Sequence, residues 1–261
     1  TNPSWAAEDI FAALSVWNAM RQGLTVIPSA FSNYAAFAAA SDRIRTFLLQ
    51  PELQRPCIGL VGPELTDVTI QWIPGEMVLK GVHFTLETGL TGVAGGVGSG
   101  KTSFLLALLG ELPAKGVVRA SRVAYVPQTP VIVIGTVVEN VLMGRQWDKE
   151  RLAMSFQSAA LDADLKLLPF GAETQIGERG VLLSGGQQMR VALARAFYDA
   201  ESMLIADDPL AAVDVEVAVQ IFKALKARPE AVVAMNQPHF LQQCDRVMFL
   251  SHGCSNLITQ P

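Results

Sequence analysis

Residues 90–112 read LTGVAGGVGSGKTSFLLALLGEL. A run of strand formers ends in glycine, a glycine-rich loop follows, and Lys101, Thr102 and Ser103 open an apolar stretch with the look of a buried helix. Gly95, Gly100, Lys101 and Thr102 fit G-x-x-x-x-G-K-[ST], a pattern that gains meaning only between a strand and a helix, which is where it lies here. Glycines let backbone N–H groups curl around a phosphate, and the helix N-terminus adds partial positive charge. Lys101 would then reach β- and γ-phosphates, and Thr102 would ligate Mg²⁺. The candidate cradle comprises Gly95, Gly96, Val97, Gly98, Ser99, Gly100, Lys101, Thr102 and Ser103. A glycine-rich turn without a ligand is the competing reading.

A second stretch, MLIADDPLAAVD (203–214), drives an apolar run into two neighbouring acids. Like charges side by side at a strand end are tolerable beside a divalent cation. Asp207 is assigned to the metal bound at Thr102, and Asp208 stands where a carboxylate could orient an attacking water.

Around this core the chain reads in three parts. The pattern from Val68 onward is of short β-like runs, VTIQW and VHFTL. Between Asp9 and Asp42 there is only one charged residue, Arg21, and as a helix this stretch would span roughly 48 Å, more than a bilayer core of about 30 Å. Its polar residues Ser15, Asn18, Gln22, Thr25, Ser29 and Ser32 step by three and four into one stripe, with Arg21 at its edge. Such a seam would face other helices or a watery path, and an intramembrane arginine is a functional candidate; an amphipathic helix packed on a soluble core is the alternative. Pro28 predicts a kink. Arg43 and Arg45 after the stretch place that end in the cytoplasm. Residues 1–50 are therefore read as a transmembrane-type helix with a cytoplasmic extension, 51–64 as a Pro- and Gly-rich linker, and 65–261 as one nucleotide-binding domain.

Half of the 261 residues are apolar and 17% charged, lean for a free-standing soluble protein. A net charge of −4 gives no reason to expect a nucleic-acid partner. Cys57, Cys244 and Cys254 have neither metal nor disulfide spacing and read as reduced thiols. No basic n-region or cleavage site opens the chain.

LSGGQQ (183–188) runs into the helical MRVALARAFYDA, so Ser184 and Gly186 form a second anion-binding helix end. One phosphate tail does not need two, so this end makes sense if it completes the site of another copy or partner. Here the order GGVGSGKTS, AYVPQ, LSGGQQ, LIADDPLAAVD resembles an ATP-binding cassette domain, from about residue 60 to 255. The closer resemblance is to the first nucleotide-binding domain of subfamily C transporters, the multidrug-resistance-associated type, through SDRIRTFLL, GERGVLLSGGQQ and DDPLAAVD. Gln128 follows Lys101 by 27 residues, short for a cassette but similar to that first domain.

The resemblance implies a P-loop NTPase core of mixed sheet with flanking helices, an antiparallel β subdomain, and an inserted helical subdomain over about 135–185. It implies ATP and Mg²⁺ as ligands. Trp72 resembles the aromatic that stacks on adenine, with a core tryptophan as the alternative. Gln128 resembles the residue that touches Mg²⁺ and links to the membrane helices. Leu183, Ser184, Gly185, Gly186 and Gln187 resemble the signature that caps a partner's nucleotide, and Asp214 the acid facing that partner. Partners would be a second cassette, in cis or trans, and transmembrane domains, in an integral membrane exporter with the cassette on the cytoplasmic side. The solute is unspecified, with Arg21 pointing toward an organic anion.

Two departures stand out. Asp208 replaces the Glu that follows the metal-binding Asp in competent cassettes, withdrawing the carboxylate by more than about an ångström, and misplacement on that scale can cost ~10²-fold in rate. Asn236 in AMNQPHFL aligns with the family's switch histidine, with His239 as the competing assignment. Asparagine donates a hydrogen bond but takes up no proton at neutral pH. The expectation is a site that binds Mg-ATP and hydrolyses it weakly, beside an intact signature. Other readings are a soluble cassette ATPase without transport, a channel-gating subunit, and a phosphotransferase; LSGGQQ argues against the last.

Overall fold

The computed structural model describes residues 6–50, 63–73, 76–177, 180, 182–199, 202–211, 213–251 and 253–259. Most of the expected linker, residues 51–62, lies outside them, as do Cys57 and, within the quoted motifs, Glu178, Arg179, Val181 and Ala212. The chain forms two units, Thr1–Glu52 and Leu53–Pro261.

The first unit is one helix, α1 (Ala7–Leu48, 42 residues), with Glu8 and Asp9 in its first turn and Arg45 in its last, both matched to the helix dipole. Pro28 lies inside it. The Ser15, Thr25 and Ser29 hydroxyls donate to the carbonyls of Phe11, Gln22 and Val26 at 2.9, 2.9 and 2.7 Å, so part of the polar stripe is satisfied on the helix's own backbone. None of its side chains is buried, Phe11 and Phe31 among them. Among the described residues no helix is long and apolar enough to cross a membrane. The transmembrane-type reading is corrected on that point: the length is present, but alanines and the polar stripe dilute the hydrophobicity.

In chain order the second unit runs β1 (Glu64–Ile73), β2 (Glu76–Thr85), β3 (Gly89–Gly95), α2 (Lys101–Leu108), β4 (Ala114–Arg119), β5 (Val123–Val126), β6 (Gly135–Thr136) and α3 (Val137–Leu142). It continues with α4 (Lys149–Ser158), α5 (Asp162–Leu167), a 3₁₀ turn (Gly171–Glu173), β7 (Gln175–Ile176), α6 (Gly185–Tyr198), β8 (Met203–Asp207), α7 (Val215–Lys226), β9 (Glu230–Ala234), α8 (Pro238–Leu241), β10 (Arg246–Ser251) and β11 (Cys254–Thr259). A six-stranded sheet has the order β11-β10-β3-β9-β8-β5, parallel except at the β10–β11 edge. A three-stranded antiparallel sheet has the order β2-β1-β4, and β6 pairs with β7. This is the mixed sheet with an antiparallel subdomain that the sequence implied.

Both faces of the large sheet are covered, which is why its central strands read as unbroken apolar runs. All five residues of β8 are buried, and they divide by the period of two: Met203 and Ile205 enter one core, Leu204 and Ala206 the other. The first core joins the sheet to α2 and the antiparallel strands, with Phe84 and Phe104 edge to face at 5.3 Å. The second joins it to α3, α4, α6 and α7, with Phe222 stacked on Phe240 at 4.7 Å.

Candidate nucleotide site and signature tip

In a parallel sheet the loops that leave the carboxyl ends of the strands collect at one edge. Val93 pairs with Ala234, Ala234 with Asp207, and Ala206 with Val126, so β3, β9, β8 and β5 release their chains side by side. The residues that follow line one cavity of about 360 Å³: Val97 to Ser103, Gln128, Asp207, Asp208 and Asn236, closed on one side by Val78. A neighbouring cavity of about 490 Å³ shares Asn236 with it but is walled by Ala94, Gly95, Leu241, Val247 and Phe249. It lacks the cation and carboxylates that phosphate chemistry needs, so the first cavity is the candidate site.

The loop is built for close backbone approach. Gly98 and Gly100 have φ of 76° and 99°, values that side chains rarely adopt, and a Cβ on Gly95 would press on the Ser99 hydroxyl and the Leu250 carbonyl. Lys101 Nζ donates to the carbonyls of Gly95 and Gly96 at 2.7 and 2.9 Å, holding its charge over the loop. Thr102 Oγ1 donates to Asp207 Oδ2 at 2.6 Å, and Asp207 is only 3% exposed. Trp72 is 56% exposed rather than a core residue, and its indole N–H donates to Ser103 Oγ at 2.9 Å.

Asp208 has φ of 49°, and its backbone N–H donates to the Ala234 carbonyl at 2.9 Å. Burial, then the charge of Asp207, push its carboxyl above the usual carboxylate range, with Lys101 opposing. A raised folded-state value means that the folded chain binds the proton more tightly than the unfolded one. The stability that this gives is present in full below the ordinary pKa near ~3.9 and is lost as pH rises through the raised value. Asp208→Asn is therefore expected to raise the melting temperature of the ligand-free chain at neutral pH, with the gain vanishing below about pH 4; differential scanning at several pH values reads it.

The residues present fit a magnesium nucleotide. Ser99 Oγ and Asp208 Oδ1 are buried without a partner in the protein, and both line the cavity. Thr102, Asp207 and Gln128 offer hard oxygen donors of the kind Mg²⁺ takes. Among the described residues no group of three or more His, Cys, Asp or Glu is placed to hold a metal. His239 does not line this cavity; its ring lies 4.0 Å from that of Phe240.

Ser184 caps α6: its hydroxyl accepts from Gln187 N–H at 3.3 Å, and its own N–H donates to Gln187 Oε1 at 2.9 Å. Ser184 and Gly185 are exposed, a Cβ on Gly185 would meet nothing within 4 Å, and none of Leu183 to Gln187 lines the lysine-bearing cavity. The Leu183 carbonyl accepts from Gln188 Nε2 at 3.0 Å. Asp214 is exposed at the N-cap of α7. Farther along α6, Arg195 donates to the carbonyls of Asn140 and Val131 at 2.8 and 3.0 Å, and the Tyr198 hydroxyl accepts from Asp148 N–H at 3.0 Å.

The family model described as ABC transporter matches residues 79–211, about half of the chain. The chain belongs to the ABC transporter family. Relatives of this cassette are subfamily C proteins. ATP-binding cassette sub-family C member 4 of Homo sapiens is 37% identical over 262 residues, which cover 95% of the cassette chain and 20% of the relative. Multidrug resistance protein mrp-7 of Caenorhabditis elegans is 38% identical over 228 residues, 82% and 15% of the two chains. ABC transporter C family MRP4 of Zea mays is 35% identical over 263 residues, 95% and 17% of the two. The chain spans a fifth or less of the length of these relatives.

Sequence reasoning missed what steadies the cassette's signature tip. Asp164 on α5 accepts from Arg190 Nε and NH2 at 2.6 and 2.9 Å, and from Gln187 Nε2 at 3.1 Å. A pair 26 residues apart has no local pattern to betray it. The side chains of Arg190 and Asp164 are 13% and 12% exposed, so losing one partner strands a nearly buried charge. Asp164→Ala is expected to cost about 3 kcal/mol in urea unfolding.

Proposed function

We propose that this cassette is one half of an asymmetric pair in a membrane exporter: it holds Mg-ATP in its own loop and lends its Ser184–Gly186 tip to a second cassette. What supports the reading is the placement of the two anion-binding ends. Lys101, Thr102, Asp207, Gln128, Asp208 and Asn236 share one cavity, whereas Ser184 and Gly185 at the tip are exposed and no residue of the tip lines it.

In this reading Trp72 carries the base and the loop from Gly95 to Ser103 wraps the phosphates. Thr102, Asp207 and Gln128 would hold Mg²⁺, which when bound neutralises charge between the β- and γ-phosphates. Gln128 and Asp208 would orient a water, and Asn236 would donate to the γ-phosphate without taking a proton. Asp208 is too short for the water and Asn236 cannot relay, so the site holds nucleotide better than it cleaves it. Joining of the two cassettes on ATP would then drive solute movement through the transmembrane domains.

The test is nucleotide binding and phosphate release by the chain, alone and mixed with a second cassette. Expected are Mg-ATP binding alone, turnover well below about one per second, and faster turnover in the mixture that Ser184→Arg removes. Turnover at or above that rate by the chain alone overturns the degenerate-site reading.

A further inference from the structure

We propose that Ser103 is a positioning residue for base recognition, latching the Trp72 indole to the phosphate loop so that base and phosphates are read as one unit. The proposal rests on the reading of Trp72 as the adenine platform.

Trp72 stands near the end of β1, in the antiparallel sheet, and Ser103 in the first turn of α2, beside the large sheet. The two are 31 residues apart, and the N–H···Oγ bond of 2.9 Å joins them across the layers. At 56% exposure the indole lacks the packing that fixes a core ring, so a single directed bond matters to its orientation. Ser103 is the well-held partner: it is 6% exposed, sits within the helix and lines the cavity.

The donor inventory makes the bond one-way. An indole N–H only donates, so the Ser103 oxygen accepts and its own proton remains available to an oxygen in the cavity. The first turn of α2 thus carries adjacent hydroxyls with divided duties. Thr102 Oγ1 is committed to Asp207, the metal end, and Ser103 Oγ to Trp72, the base end. Rotation of this turn would disturb both.

An aromatic held in its binding pose before the ligand arrives loses less freedom on binding, and immobilising one such side chain is worth roughly 3- to 10-fold in affinity. Titration calorimetry of the full chain with Mg-ATP and with magnesium tripolyphosphate, which has no base, isolates the effect as the ratio of the two affinities. Ser103→Ala and Trp72→Phe are each expected to lower that ratio by about 3- to 10-fold, the double variant to lower it no further than either alone, and Ser103→Thr to restore it. Effects that multiply in the double variant, or a Ser103→Ala ratio equal to wild type, overturn the latch. Trp72→Ala separates the two levels. A fall in the ratio with Trp72→Ala but not with Ser103→Ala leaves the platform standing and removes the latch; no change with Trp72→Ala removes both.

Discussion

Asp208→Glu together with Asn236→His is expected to raise ATP turnover at the cassette's own site by about 10²-fold, read as phosphate release with a second cassette present. In the proposed reading the present side chains fall short for a geometric reason. Asp208's backbone is held by the Ala234 carbonyl in a left-handed conformation, so the main chain cannot advance to make up for the missing methylene. Its Oδ1 is buried with no protein partner. A glutamate would carry the carboxylate outward. Asparagine and aspartate tolerate positive φ better than other residues, so this variant is expected to lose about 1 kcal/mol of stability while it gains rate. A histidine at 236 adds a group that titrates near neutrality. Should the double variant turn over no faster than the parent, slow hydrolysis has a source other than these two positions.

Lys101→Ala is expected to weaken Mg-ATP binding by at least about 10²-fold, the scale of one or two lost charge-assisted hydrogen bonds. In the ligand-free chain the ammonium is parked on the Gly95 and Gly96 carbonyls, so the substitution also frees the root of the loop. Lys101 lies at the cavity rather than in either core, so urea unfolding should move little. Calorimetry with both ATP and tripolyphosphate should show the loss alike, because the lysine serves the phosphates and not the base. Affinity within tenfold of the parent would mean that this loop is not the cradle.

What could be read from the chain follows from how far each signal travels along it. The strand–loop–helix around Lys101 is written in contiguous residues whose glycines answer a local backbone demand, and Ser184 announces a helix start by its place before Gly185–Tyr198. The apolar run 203–206 betrays a strand covered on both faces. The meeting of Gln128, Asp207 and Asn236 in one cavity is a product of strand order and register, which no window of sequence contains, and only the family resemblance anticipated it. The Trp72–Ser103 bond and the Asp164 brace lay beyond both routes, since each joins polar groups on elements distant in the sequence. Hydrophobic length misled in the leader: α1 reaches the expected extent, but alanine fills it where leucine or isoleucine was needed.

Helix α6 links the signature tip to the stretch that follows Gln128. Its fourteen residues form a rod about 21 Å long, tipped by Ser184 and bolted near its far end, through Arg195, to the carbonyls of Val131 and Asn140 just downstream of Gln128. Rigid levers do not keep a push to themselves. Should a neighbour dock at the tip, as proposed, its push would be carried along the rod and felt as strain in the stretch after Gln128, whether or not the cradle is filled.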